Sequence, residues 1–243
     1  KTTLSNFSLP VYGLGTWQMG GRNEPDYTRD NEEIEAIKTA IENGIVHIDC
    51  AEMYGGGHAE ELIAEAIKGF DRSKLVLTSK VMAHNQGYDD LISSCKASLK
   101  RMNVDYFDLY MLHRFPDKGI SIEEAMRALD YLVSEGLVKN IGVCNFSVNR
   151  LKEAQKHTKN KIVCNQVHYS LDCREIVDAG VLQYCQENDI LVVAWGPLSK
   201  GAMNKADILT AVAEKYKKTP YQVSLNWLLK QKNVVVICKT SNI

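Results

Sequence analysis

The feature that most narrows the fold is an alternation. Eight short apolar runs recur along the 243 residues, and a segment of helical period separates each from the next. The runs are residues 9–16 (LPVYGLGT), 45–50 (IVHIDC), 75–80 (LVLTSK), 107–113 (FDLYMLH), 140–145 (NIGVCN), 162–167 (IVCNQV), 190–195 (ILVVAW) and 234–239 (VVVICK). Helices are expected at 30–43, 58–69, 88–101, 121–135, 147–158, 173–188 and 206–231, the last broken near Thr219-Pro220. In the second, Leu62, Ile63, Ala66 and Ile67 share one face and the glutamates the other. Asp30, Ser121 and Ser147 are candidate N-caps, and His58 is placed at a helix start. Strands this apolar, alternating with helices, are expected to run parallel and to be buried on both faces. Eight such units predict an α/β fold, a closed (β/α)8 TIM barrel. An open doubly wound sheet is the alternative, but no GxGxxG follows an early strand. No linker, low-complexity segment or composition shift interrupts residues 1–243, so a single domain is expected. The helix that should follow the eighth strand is expected to be absent, because the chain ends at Ile243.

In such a barrel the C-terminal ends of the strands form one mouth, where active sites sit. Four residues of complementary chemistry fall there. Asp49 and Tyr54 follow the second run, Lys80 closes the third and His113 closes the fourth. Three of them have an ordinary reading taken alone: a turn aspartate, a surface lysine, a satisfied core histidine. Together they make a proton-transfer site. A phenol ionises near pH 10, so it is a weak acid at neutrality. A neighbouring ammonium lowers that value, and a carboxylate can hold the ammonium in place. Gly55-Gly56-Gly57 matches neither a Walker nor a dinucleotide fingerprint and is expected to serve a tight turn.

At these residues the chain resembles the aldo-keto reductase family. The resemblance runs in order through GLGTW (13–17), DCAEMYG (49–55), TSK (78–80), LYMLH (109–113) and IGVCNF (141–146). It continues through NQVHYS (165–170), VVAWGPLSKG (192–201) and VVVICKTSN (234–242). The resemblance implies hydride transfer between a nicotinamide cofactor and an aldehyde or ketone. It implies Tyr54 as general acid, Asp49 and Lys80 as its tuning pair, and His113 as the group that orients the carbonyl. Asn145 and Gln166 would hold the nicotinamide carboxamide. Cys144 stands where the family usually has a serine, and a thiol is the poorer donor. Trp195 takes the place of a stacking aromatic, and Gly196 a place where serine is common. Pro197, Leu198, Ser199, Lys200 and Gly201 would form the loop over the pyrophosphate. Lys239, Thr240 and Ser241 would surround the 2′-phosphate of NADP, which makes NADP(H) the expected cofactor with NAD(H) as the second choice. A cation with two hydroxyls suits a phosphate monoester.

Trp17, Met19, Met53 and Met82 follow strands on the pocket side and are candidates for an apolar substrate wall, with simple packing as the alternative. The expected substrate is a small carbonyl or alcohol compound. Two rival functions remain open from the sequence: a Schiff-base enzyme acting through Lys80, and a non-catalytic nicotinamide-binding module. The net charge of −1 argues against a nucleic-acid or anionic-membrane partner. No apolar run approaches the roughly 20 residues that span a bilayer. The seven cysteines are scattered, with no CxxC or Cys/His cluster, so no metal site is expected. A cytoplasmic enzyme of unspecified oligomeric state is the expectation.

Overall fold

The structure is a computed structural model that describes residues 2–3, 7–198 and 207–240, with side chains described from Phe7 to Leu198 and from Leu209 to Thr240. Eight parallel strands close on themselves. They are β3 (Tyr12–Gly15), β4 (His47–Asp49), β5 (Val76–Val81), β6 (Leu109–Leu112), β7 (Ile141–Cys144), β8 (Ile162–His168), β9 (Leu191–Trp195) and β10 (Val234–Cys238). β10 pairs with both β9 and β3, which seals the barrel. Ahead of it, β1 (Thr2–Thr3) pairs antiparallel with β2 (Ser8–Leu9), a ladder the apolar pattern does not reveal.

The strands are buried along most of their length because they face two apolar layers. Inside, Leu109, Met111, Cys144, Cys164, Leu191, Val193, Val235 and Ile237 form one cluster with Leu9. Outside, helices pack on the barrel: α1 (Asp30–Glu42), α2 (His58–Ala66), α3 (Tyr88–Met102), α4 (Ile122–Ser134) and α5 (Val148–Lys156). They are followed by α6 (Glu175–Asp178), α7 (Val181–Glu187), α8 (Asp207–Lys215) and α9 (Pro220–Leu229). Leu62 and Ile63 of α2 are almost wholly buried, each contributing about 1.5–3 kcal/mol of transfer free energy.

One irregularity matters for the site. Ile141 pairs with Ile162, but Gly142 pairs with Cys164, so β8 carries an extra residue at Val163. A bulge of this kind changes which side chains face inward. After it, Cys164 joins the inner cluster and Gln166 reaches across the barrel to β4.

Local chemistry explains most element boundaries. Ser121 with Glu124 forms a capping box on α4, and Ser147 caps α5. Thr219 and Gln222 form a second box, with Pro220 in the first turn, which accounts for the break between α8 and α9. Two expectations are corrected. The segment 173–188 is two helices, parted at Ala179-Gly180, where Gly180 has φ 70°. Asp30 is not the cap of α1; Arg29 holds that position, and the Asp30 carboxylate bonds His58 Nε2 at 2.9 Å.

Candidate active site

The four sequence-predicted residues meet at the C-terminal mouth. Lys80 Nζ, fully buried, donates to Asp49 Oδ1 at 2.6 Å and to the Cys50 carbonyl at 2.6 Å. It reaches the Tyr54 hydroxyl at 3.4 Å. The Tyr54 ring lies edge-on to Trp17, with centroids 5.0 Å apart, and to His113 at 5.8 Å. Tyr54 comes from the turn after β4, and its neighbour Gly55 has φ 57°. A Cβ there would fall 2.2 Å from the Gly20 carbonyl oxygen, so this turn requires glycine.

Burial and charge set the protonation states. Burial pushes the Tyr54 phenol up to about 12, with Lys80 pulling it down and Asp49 pushing it up. The expected lowering by the ammonium is therefore outweighed by desolvation, and the phenol keeps its proton. For Lys80, burial alone would favour the neutral amine, but Asp49 and Tyr54 reverse this and hold the amine above its ordinary value. His113 is brought down to about 3 by burial, with Lys80 and Arg114 adding to the effect. Its imidazole is neutral, and Nδ1 is buried without a hydrogen-bond partner among the described residues. Nε2 is then the nitrogen suited to carry the proton and donate it.

Beside this cluster stand the amide and ring residues. Cys144 ends β7 and is buried; burial pushes its thiol up to about 12, so it remains a neutral, weak donor. Asn145 follows in a left-handed conformation, φ 59°, and its Oδ1 accepts from Trp195 Nε1 at 3.2 Å. Gln166 Nε2 donates to Asp49 Oδ2 at 2.7 Å, which engages the donor nitrogen that was expected to serve a carboxamide. Trp195 ends β9, half-buried, and one face of its indole is stacked on His168. Gly196 and Pro197 follow it, then Leu198, at the edge of the described segment. Lys239 and Thr240 are exposed just past β10. Ser199, Lys200, Gly201 and Ser241 lie outside the described residues.

Of the candidates for an apolar wall, Trp17, Met53 and Met82 are partly exposed, and Trp17 and Met53 also pack against the outer core. Met19 is a correction: it is fully buried in the outer core, where packing claims it. Sequence reasoning missed two carboxylates that brace the mouth. Glu52 Oε1 accepts from the Met82 amide at 2.7 Å and from Asn85 Nδ2 at 3.1 Å, tying the loop that carries Tyr54 to the loop after β5. Glu60, fully buried, accepts from Ser79 Oγ at 2.6 Å and Arg101 Nε at 2.7 Å, fixing the residue next to Lys80 from outside. A carboxylate on an amphipathic helix reads as solvated, so only Arg101 on the next helix could have signalled the second. His168 sits beside Trp195, its ring stacked on the indole.

Comparisons with known proteins identify the family to which the chain belongs. The profile described as Aldo/keto reductase family matches residues 12–243. Methylglyoxal reductase YeaE of Escherichia coli K12 is 35% identical over 242 residues, covering 97% of this chain and 82% of the relative. Glyoxal reductase of Bacillus subtilis 168 is 37% identical over 236 residues, covering 96% and 79%. Among solved structures, the thermostable aldo-keto reductase Tm1743 in complex with the inhibitor epalrestat superposes with a TM-score of 0.96 at 42% identity, covering 100% of this chain and 89% of the other. An aldo-keto reductase from Klebsiella pneumoniae in complex with NADPH gives 0.88 at 32% identity, covering 97% and 82%. Relatedness of this extent, carried by sequence and fold together, makes the chain a member of the aldo/keto reductase family.

Proposed function

We propose that the chain reduces small aldehydes or ketones with NADPH, Tyr54 serving as the general acid. The observation that carries this reading is the buried contact set of Lys80, which joins Asp49 to the Tyr54 hydroxyl. The family membership supports carbonyl reduction, and the Klebsiella structure with NADPH supports the cofactor.

The residues present fit a nicotinamide nucleotide. Gln166 offers its Oε1 to a carboxamide N–H while its Nε2 stays on Asp49. The half-buried indole of Trp195, stacked on His168, offers its other face as a stacking plane. Lys239 and Thr240 offer a cation and a hydroxyl for a phosphate. A bound NADPH would supply hydride chemistry at the carbonyl carbon. The protein supplies the rest. His113, neutral, donates to the carbonyl oxygen through Nε2 and orients it. Tyr54 passes its hydroxyl proton to that oxygen as it becomes an alcohol. Lys80, already charged and beside the phenol oxygen, stabilises the negative charge left there. Asp49 keeps the ammonium in place. Glyoxal and methylglyoxal, the compounds in the names of two relatives, are the first substrates to try.

The Schiff-base alternative does not suit this site. A nucleophilic lysine needs a lowered pKa, and Lys80 is held charged by three oxygen contacts. The test is a titration with NADPH and NADH followed by a carbonyl panel, in wild type and Tyr54→Phe. Wild type should bind NADPH and turn over. The variant should bind it equally and lose about 10²–10⁴-fold in turnover, the span general acid catalysis commands. Near-normal turnover in Tyr54→Phe would remove that residue from its role. Binding without any turnover in wild type would favour the non-catalytic module.

A further inference from the structure

We propose that His168 is a positioning residue for the cofactor, its imidazole holding the Trp195 indole in the plane on which the nicotinamide ring lies. The inference rests on the reading of Trp195 as the stacking surface.

His168 and Trp195 are register partners on adjacent parallel strands. Register partners point to the same face, and neighbouring strands lie about 4.8 Å apart, a separation that suits two flat rings. The bulge at Val163 sets the phase that puts Gln166 and His168 on the face shared with Trp195. The imidazole and indole centroids are 4.3 Å apart and the rings are within 12° of parallel. The indole edge is held separately, by Nε1 donating to Asn145 Oδ1 at 3.2 Å. Ring torsions about an sp³–sp² bond are broad, so an indole without such contacts samples many tilts. With one face covered and one edge tied, its other face is presented in a fixed plane. A surface ordered before binding spares the ligand that ordering cost.

The residue after the tryptophan completes the arrangement. Gly196 has φ 62°, and a Cβ there would lie 3.1 Å from His168 Cδ2 and 3.2 Å from Nε2. Any side chain at 196 would press on the imidazole and tilt it against the indole. Gly196 is thus the space in which the stack sits.

The experiment compares His168→Ala, His168→Phe, Gly196→Ala and Trp195→Ala in the intact chain. NADPH affinity is read by fluorescence titration and the kinetics by KM for NADPH against kcat. His168→Ala should weaken NADPH about 3–10-fold, the worth of one aromatic pair, and raise its KM with kcat little changed. His168→Phe, which restores a flat ring, should recover most of the loss, and Gly196→Ala should reproduce it. His168→Ala with wild-type affinity, while Trp195→Ala binds weakly, would overturn the role of His168 alone. A phenylalanine variant as weak as the alanine one would overturn it too. Wild-type affinity in Trp195→Ala would instead overturn the stacking reading on which the inference rests.

Discussion

The two sides of the barrel mouth are held by different forces. On the β4–β6 side the centre is a charged pair partnered within the protein: Lys80 has Asp49 and the Cys50 carbonyl, each at 2.6 Å. On the β7–β9 side stand a neutral thiol, two amides and an indole stacked on the His168 ring. The bond from Gln166 to Asp49, 2.7 Å long, joins them. On the proposed function this is a division of labour. The side that would transfer the proton is assembled before any ligand arrives, because a buried ammonium without its carboxylate would be too costly to leave waiting. The side proposed for the cofactor presents planes and amide edges to a ligand.

The sharpest way to break this comparison is Lys80→Met. Both Lys80 and Asp49 are buried, the first at 0% side-chain exposure and the second at 2%. Removing one partner strands the other, which costs about 3–5 kcal/mol. For a chain of this size that is a drop of roughly 10 °C in melting temperature, at about 2–4 °C per kcal/mol. Turnover should fall about as far as in Tyr54→Phe. Scanning calorimetry beside an assay checks both; a wild-type melting temperature would show that the charges are not coupled as drawn.

Much of this was legible in the chain because its signals are local. The eight apolar runs gave the strand count, and parallel pairing brings their ends together whatever the loops do, so Asp49, Lys80 and His113 could be placed at one mouth. What was not legible depends on register or on burial. Nothing in IVCNQV shows an extra residue at Val163, yet it decides that Gln166 faces Asp49. Met19 follows a strand as Met53 and Met82 do, but the chain turns it into the core. The sign of the Tyr54 shift was missed for the same reason. A neighbouring lysine is visible in sequence, and the desolvation that outweighs it is not.

A smaller effect is expected at the joint between the sides. Gln166→Leu removes a donor to a charged acceptor, a class of bond worth about 1.5–3 kcal/mol. It also removes the amide offered to the cofactor. Both KM for NADPH and kcat should worsen, each about 10-fold, since a shared 1.4 kcal/mol on either side is a factor of ten. Steady-state kinetics separate the two, and a change confined to KM would mean that the sides act independently. Smaller again is Cys144→Ser. A hydroxyl donates better than a thiol, so NADPH should bind a few-fold more tightly, as read by titration. Unchanged affinity would mean that the carboxamide does not reach this residue.

The least effect is expected from pH on catalysis, and the contrast with stability makes it informative. His113 is held down to about 3 and Tyr54 up to about 12, so neither changes protonation between about pH 5 and 9. The kcat/KM profile for the carbonyl should be flat there, and a limb near neutrality would contradict the assigned states. Stability should not be flat. His113, and His47 at about 4, have folded values below the unfolded value of about 6.5. Below that pH the unfolded chain binds protons that the folded chain refuses, so the stability these residues allow is complete above 6.5 and lost as pH falls. His58 has the opposite sign: Glu61 and Asp30 outweigh the effect of burial and raise it. Its contribution is complete below 6.5 and is lost as pH rises through the folded value. From these three histidines the melting temperature should peak near pH 6.5 while kcat/KM does not. His58→Gln should flatten the alkaline slope, and His113→Asn should make the acid one shallower while His47 keeps the rest, because each removes one group whose proton count differs between the two states.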